Sequence, residues 1–217
     1  MDMAANHQPR RKPFWAKRDK IFDEIETAID KPASLLDVGC GNESPVQFLF
    51  SRPGRLVGVD GFLPSIEQSK SKGIHDDYIC IDLVDLGEAV AALSYDCVLA
   101  IDVIEHFKKE KGLALIRDME KIARRRLVLL TPNGFLPQDA HGGNLYQQHL
   151  CGWRVDEMKA MGFEVIGVNG WKPLLGPYAQ SRLWPAPIGR TLSRASQPLV
   201  RNHPEHAFHL LCVKRLA

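Results

Sequence analysis

Seven short apolar runs rich in β-formers recur along the chain: "SLLDV", "RLVGVD", "DYICID", "YDCVLAI", "RLVLLT", "FEVIGVN" and "AFHLLCVK". Helical patterns separate the first five. That alternation predicts a parallel sheet covered by helices on both faces, an α/β architecture. "KRDKIFDEIETAID" places Ile21, Ile25 and Ile29 at helical spacing, and "GLALIRDMEKIARR" puts Leu113, Ile116, Met119, Ile122 and Ala123 on one stripe. "RVDEMKAMGF" reads as a further helix stopped by Gly162. A chain of 217 residues, 45% of them hydrophobic, can bury one sizeable core. The expected organisation is a basic, helical extension over 1–30 and a single domain over 31–217. Within that domain, residues 171–205 interrupt the last two strands with a segment rich in proline and arginine, carrying Trp171, Tyr178 and Trp184. An insertion over a rigid sheet is a common place for substrate recognition.

Charge and cysteine usage narrow the class. The net charge of +2 demands neither a nucleic acid nor a membrane. Two basic clusters, Arg10, Arg11, Lys12, Lys17, Arg18 and Lys20 near the start and Arg182, Arg190, Arg194 and Arg201 later, read as solvated surface. The five cysteines form no CxxC pair, which fits free thiols in a reducing cytosol. The first twenty residues have no apolar signal region, and no apolar run approaches the roughly 20 residues that span a bilayer. A soluble, cytoplasmic protein is expected, with peripheral membrane contact left open and the oligomeric state unread.

The turn after the first strand carries the first chemical information. "LLDVGCGNESPVQFL" has Gly39 and Gly41 where a dinucleotide fold begins its glycine motif, but Ser44 stands where a third glycine would close helix against strand. Ser44-Pro45 reads as a helix N-cap followed by proline in the first turn. Asp37 precedes the glycines. A pyrophosphate on a helix N-terminus gains nothing from that carboxylate, whereas a ligand with an ammonium group does. S-adenosylmethionine (SAM) carries an ammonium, a sulfonium and an adenosine, and no phosphate. Asp60 ends the second strand, where a carboxylate can take both ribose hydroxyls, and Asp82 ends the third, where it can accept from an adenine amino group.

With "LLDVGCG", "VGVD", "CIDL", "YDCVLAIDVIEHF", "TPNG" and "HLCGWRVDEMKAMGFEV" in place, the chain resembles the class I SAM-dependent methyltransferases of the small-molecule branch, over roughly Ser34 to Lys214. The resemblance implies a Rossmann-like three-layer sandwich whose seven-stranded sheet is mostly parallel with the last strand antiparallel. It implies SAM as cofactor, held by Asp37, Gly39, Cys40, Gly41, Asp60, Gly61, Asp82, Leu83 and Ile101. The "NES" that replaces the third glycine departs from the family pattern.

The segment after the fourth strand is where a methyl acceptor should meet the sulfonium. Asp102, Glu105 and His106 stand where amino-methyltransferases of DNA bases have a Pro-Pro-aromatic loop, which argues against exocyclic amine methylation. "D-V-I-E-H" also looks like the E-x-x-E-H motif of quinone-ring and RNA 3′-end 2′-O-methyltransferases, where it binds a divalent metal. Here Asp102 replaces the first Glu and no second histidine follows within a helix turn, so no metal is expected. Asp102 and Glu105 otherwise read as helix caps, and His106 as a base facing the acceptor hydroxyl. His141 and His149 flank "GGNLYQQ", a loop placed to touch substrate. The expected function is methyl transfer to a small-molecule oxygen: a sugar, lipid-linked glycan, quinone or other metabolite. The alternatives are an RNA methyltransferase, disfavoured by near-neutral charge and the lack of an RNA-binding module, and a catalytically inactive SAM-binding subunit.

Overall fold

The computed structural model describes residues 20–140, 143–176 and 180–216. Arg10, Arg11, Lys12, Lys17 and Arg18 of the basic cluster, His141 and Tyr178 lie outside these residues.

All seven apolar runs are strands: β1 (Ser34–Val38), β2 (Arg55–Asp60), β3 (Asp77–Cys80), β4 (Tyr95–Ile101), β5 (Ala123–Pro132), β6 (Glu164–Trp171) and β7 (Ala207–Arg215). They form one sheet in the order β3-β2-β1-β4-β5-β7-β6. β7 runs antiparallel to both its neighbours, while β3, β2, β1, β4 and β5 pair in parallel. The helices are α1 (Lys20–Ile29), α2 (Leu63–Ser71), α3 (Leu86–Ala89), α4 (Lys109–Ile122), α5 (Val155–Ala160) and α6 (Ala186–Arg201). This is the Rossmann-like methyltransferase fold that the sequence pattern and the resemblance imply. Among the described residues, no helix is long and apolar enough to cross a membrane.

Alternation along the central strands splits the core between the two faces. Leu36 and Val38 of β1 face one side with Val57, Val59, Val98 and Leu127, under Leu115, Ile116, Met119 and Ile122 of α4. Leu35, Leu56, Leu99 and Val128 face the other, under Ile25 and Ile29 of α1. The predicted isoleucine stripe of α1 is therefore the part that docks the extension onto the sheet.

Two local expectations shift. The helix read over "GLALIRDMEKIARR" ends at Ile122, and Ala123 already pairs with Tyr95 in the sheet. The next arginines anchor the strand's amino end: Arg124 reaches Asp96 Oδ1 at 3.0 Å, and Arg126 reaches Ala28 O at 3.0 Å and Asp30 at 2.7 Å. Ser44 does cap, accepting from Val46 N at 3.3 Å, but the chain then makes a single 3-10 turn over Pro45–Phe48 instead of an α-helix. Beyond that turn two amides, Phe50 N and Ser51 N, donate to the carboxylate of Glu26 in α1, which draws the loop away from a helical path.

β6 is an edge strand, and an edge leaves backbone groups without partners. It also bulges: Asn169 and Gly170 both have left-handed φ (63° and 75°), and the β6–β7 register breaks between Val168 and Trp171. Polar side chains of α6 satisfy the edge. Gln197 donates to Gly167 O and accepts from Gly170 N, Ser193 donates to Asn169 O, and Ser196 accepts from Trp171 N. This seating needs close approach, and a Cβ at Gly167 would overlap Val200 O and come within 2.8 Å of Ala207 Cβ. Gly167→Ala is therefore expected to lower the unfolding free energy by about 1–3 kcal/mol through overpacking. Urea denaturation followed by circular dichroism checks this, and an unchanged midpoint would contradict the packing described.

Candidate active site

Parallel strands end together, so the carboxyl ends of β1, β2 and β4 gather their loops at one edge of the sheet. A cleft of about 520 Å³, open to solvent, lies there. Gly39 forms part of its wall. Its φ is +69° and a Cβ would stand 2.5 Å from Val103 Cγ2, so only glycine lets the backbone turn here and leave the cleft clear. Gly39 N and Cys40 N both donate to Val59 O, at 2.7 and 3.0 Å.

Asp37 does not face the cleft. It is 2% exposed and lies beneath the turn, where Oδ2 accepts from Ser44 Oγ and from His75 Nε2, the latter at 2.8 Å. Asp37 Oδ2 thereby braces the turn through Ser44 and His75. Cys40 is also buried, and burial with Asp37 and Asp60 nearby pushes its thiol far up, keeping it neutral. Gly41, at φ +57°, gives its amide to Asp60 Oδ2 at 2.9 Å.

Asp60 reaches the cleft wall while holding two loops. Oδ2 takes the Gly41 amide and Oδ1 takes the Phe62 amide at 2.7 Å. Burial pushes its carboxyl above the ordinary range although these bonds favour the charge. Gly61 lines the cleft, with the Tyr146 ring 3.5 Å from where a Cβ would stand. Asp82 and Leu83 line it too, and Asp82 Oδ1 accepts from Val84 N at 3.1 Å. Ile101 instead packs against the core on the α1 face.

After β4 the chain turns sharply. Asp102 adopts φ 52°, a left-handed conformation that aspartate tolerates better than most residues. Asp102, Val103, His106 and Phe107 then face the cleft. Glu105 points inward at 2% exposure: Oε2 accepts from Thr131 Oγ1 at 3.0 Å, while Oε1 is buried without a hydrogen-bond partner among the described residues. Burial, with Asp102 adding to it, raises the Glu105 carboxyl well above its ordinary value.

His149, read from sequence as a substrate contact, lies against this segment. His149 packs edge-on against His106, ring centroids 4.8 Å apart, and one ligating atom each from Glu105, His106 and His149 lies within 4.8 Å of the others. His106 Nδ1 lies 3.1 Å from Gln148 O, and His149 Nδ1 2.6 Å from Leu136 O. A carbonyl only accepts, so these partners assign the proton to each Nδ1 and leave each Nε2 with its lone pair. Burial lowers the His106 pKa. The second histidine that the D-x-x-E-H motif lacks locally is thus supplied by the loop after β5. That loop also brings Asn144, Tyr146 and Gln147 into the wall, with Asn144 Oδ1 accepting from Tyr146 N at 3.0 Å.

Sequence reasoning missed His209. It lies in the apolar run of β7, and only the antiparallel register that sets it opposite Pro132 carries it to the site. Its Nδ1 accepts from Asn169 Nδ2 at 2.8 Å, which leaves Nε2–H facing Asp102 Oδ1 at 3.7 Å. Asp102, Tyr146 and Phe107 were legible only as parts of the "AIDVIEHF" and "GGNLYQQ" stretches.

The donor set fits a divalent cation at Glu105, His106 and His149: two imidazoles fixed through Nδ1 and a buried carboxylate oxygen without a partner are what such an ion requires.

Residues 36–136 match the protein family described as the methyltransferase domain. No curated protein sequence matches the chain. Among solved structures it is similar to a SAM-dependent methyltransferase from Archaeoglobus fulgidus, at 13% identity and TM-score 0.58, covering 90% of this chain and 91% of that one. It is similar to the methyltransferase domain of bacterial CtHen1-C, at 15% identity and TM-score 0.58, covering 91% and 97%. Magnesium protoporphyrin IX methyltransferase from Synechocystis PCC 6803 with bound SAM aligns at 18% identity and TM-score 0.51, covering 90% and 78%. At these identities the structural likenesses speak for the fold.

Because Asp60 holds two loop amides as well as facing the cleft, its removal should cost stability, contrary to what a lone strand-end carboxylate implies. Asp60→Ala is expected to lower the unfolding free energy by about 1–3 kcal/mol, and Asp60→Asn, which keeps one acceptor, by less. Equal melting temperatures for wild type and Asp60→Ala would contradict the bracing role.

Proposed function

We propose that the chain is a SAM-dependent methyltransferase of class I fold that methylates an oxygen of a small-molecule acceptor, with His106 as the base. The observation that carries this reading is the state of His106. It lines the cleft beside Val103, its Nδ1–H is engaged by Gln148 O, and its pKa is lowered by burial. A neutral imidazole with Nε2 unprotonated is what a hydroxyl acceptor needs, and burial, by lowering the pKa, favours that neutral form.

The cofactor, when bound, supplies a methyl group on a sulfonium. The chain's own residues do the rest. Gly39 and Gly61 keep the backbone low so that the ligand lies against it, Asp60 takes the ribose hydroxyls, and Asp82 and Leu83 flank the adenine. Asp37, Cys40 and Gly41 hold the turn that presents them. His106 takes the acceptor's proton as the oxygen attacks, and Tyr146 from the overlying loop excludes water. Alignment and desolvation of this kind contribute on the order of 7–11 kcal/mol, and a positioned base about two to four powers of ten in rate.

A second reading is favoured by the unpartnered Glu105 Oε1. In it Glu105, His106 and His149 hold a divalent cation, which would lower the acceptor hydroxyl's pKa. His149 then serves as a ligand rather than the substrate contact expected from sequence. One structural neighbour, a magnesium protoporphyrin IX methyltransferase, supports a small-molecule acceptor in general terms.

Single-turnover assays against a panel of hydroxylated acceptors test both readings. With His106 as base, turnover rises with pH through an apparent pKa below the ordinary histidine value of about 6.5. His106→Ala then lowers the rate by roughly two to four powers of ten with SAM affinity nearly unchanged. Loss of activity on chelation, restored by a divalent ion, selects the metal reading. Full turnover per folded molecule in His106→Ala would contradict both.

A further inference from the structure

α6 has its chemistry reversed for a helix packed on a sheet. Its sheet-facing positions are small or polar, Ser193, Ser196 and Gln197, with Val200 the one large apolar residue among them, while Gly189 lies against Ser181 and Leu183 of the preceding loop. Its large apolar residues point away. Ile188, Leu192 and Leu199 are exposed and recur at spacings of four and seven, which stacks them in one narrow stripe. Trp184, four residues before Ile188 and just ahead of the helix, is 92% exposed, and Leu199 is 73% exposed. Burying the other face satisfies the β6 edge, so nothing within the described fold requires this stripe.

The segment that carries the stripe has charge of one sign, and the acid that meets α6, Glu24 of α1, pairs with Arg201 at its carboxyl end, 2.9 Å away. From Trp171 to Pro204 the chain has five Lys and Arg residues and no Asp or Glu. Arg182 and Arg194 are exposed there. Placement matters as well. Gly170 lies against Ser193 and Gly167 against Val200, so α6 runs antiparallel to β6. The amino-terminal half of α6, with Trp184 and Ile188, therefore extends past the carboxyl end of the sheet, the same end at which the cleft opens.

We propose that α6 and the loop before it form an interfacial anchor for an anionic lipid bilayer, with the Trp184–Ile188–Leu192–Leu199 stripe entering the acyl boundary and the flanking arginines meeting headgroup phosphates. An exposed tryptophan at the end of an amphipathic helix, a narrow apolar stripe and a basic segment without acids are the features that bind a headgroup region. A protein partner of mixed charge has no need of such one-sided electrostatics. The anchor does not depend on which atom accepts the methyl group.

Co-sedimentation of the full chain with phosphatidylglycerol–phosphatidylcholine vesicles tests this, with pure phosphatidylcholine vesicles as comparison. The expected result is binding to the anionic vesicles that weakens with salt, and little binding to the neutral ones. The double variant Trp184→Ser/Ile188→Ser should lower the partition coefficient about tenfold or more, and Arg182→Gln/Arg194→Gln should remove the preference for anionic lipid. Unchanged S-adenosylhomocysteine affinity in these variants shows that they are folded. No sedimentation of the wild type with anionic vesicles, or equal sedimentation of wild type and the apolar variant, would overturn the proposal. So would a wild-type dimer, unresponsive to vesicles, that the same apolar variant converts to monomer, since the stripe would then seat a second copy.

Discussion

A buried carboxylate, Asp37, is the constraint on which the site depends. It sits under the turn after β1 with His75 Nε2 and Ser44 Oγ on the same oxygen, and both Asp37 and His75 are almost fully removed from solvent. A buried charge is expensive without partners, and stripping one partner away costs several kcal/mol. The arrangement therefore ties three segments into one geometry: the end of β1, the loop with the 3-10 turn, and the connection from α2 to β3. With that turn held, Gly39 meets the cleft and Gly41 directs its amide at Asp60. Asp60 in turn fixes the start of the next loop through Phe62 N. Each carboxylate in the series is a structural acceptor, and the one at β2 also lines the cleft.

On the other side of the cleft, environment separates acids and imidazoles that sequence presents side by side. Asp102 is half exposed at a left-handed strand end, while Glu105, three residues on, is buried with a raised pKa. His106 is kept neutral by burial, and a backbone carbonyl sets its tautomer. His209 approaches Asp102 from β7 with its own tautomer set by Asn169. Elements distant in sequence thus bring His149 to Glu105 and His106, and set His209 beside Asp102.

The fold was legible because local pattern and tertiary demand agree. Parallel strands buried on both faces read as short apolar runs, and Asp60 ends β2 as read, while Asp82 lies two residues past the end of β3 and caps the turn that follows. Two kinds of feature escaped. One is orientation: that Asp37 tucks under its turn depends on His75, 38 residues away, and no spacing rule relates them. The other is long-range assembly, as with His149 against His106 or His209 beside Asp102, which are fixed by a loop path and by the antiparallel register of β7. The 171–205 segment shows the same limit. Its composition marked it as exceptional, but which face of α6 meets the sheet depends on the hydrogen-bonding needs of a bulged edge strand.

Strand-end carboxylates around a braced glycine turn should select an adenosyl ligand without phosphate. Titration calorimetry of the purified chain with S-adenosylhomocysteine and with NAD tests this most directly. One saturable site for S-adenosylhomocysteine and no heat with NAD is the predicted result. Saturable binding of NAD with no response to S-adenosylhomocysteine would contradict it.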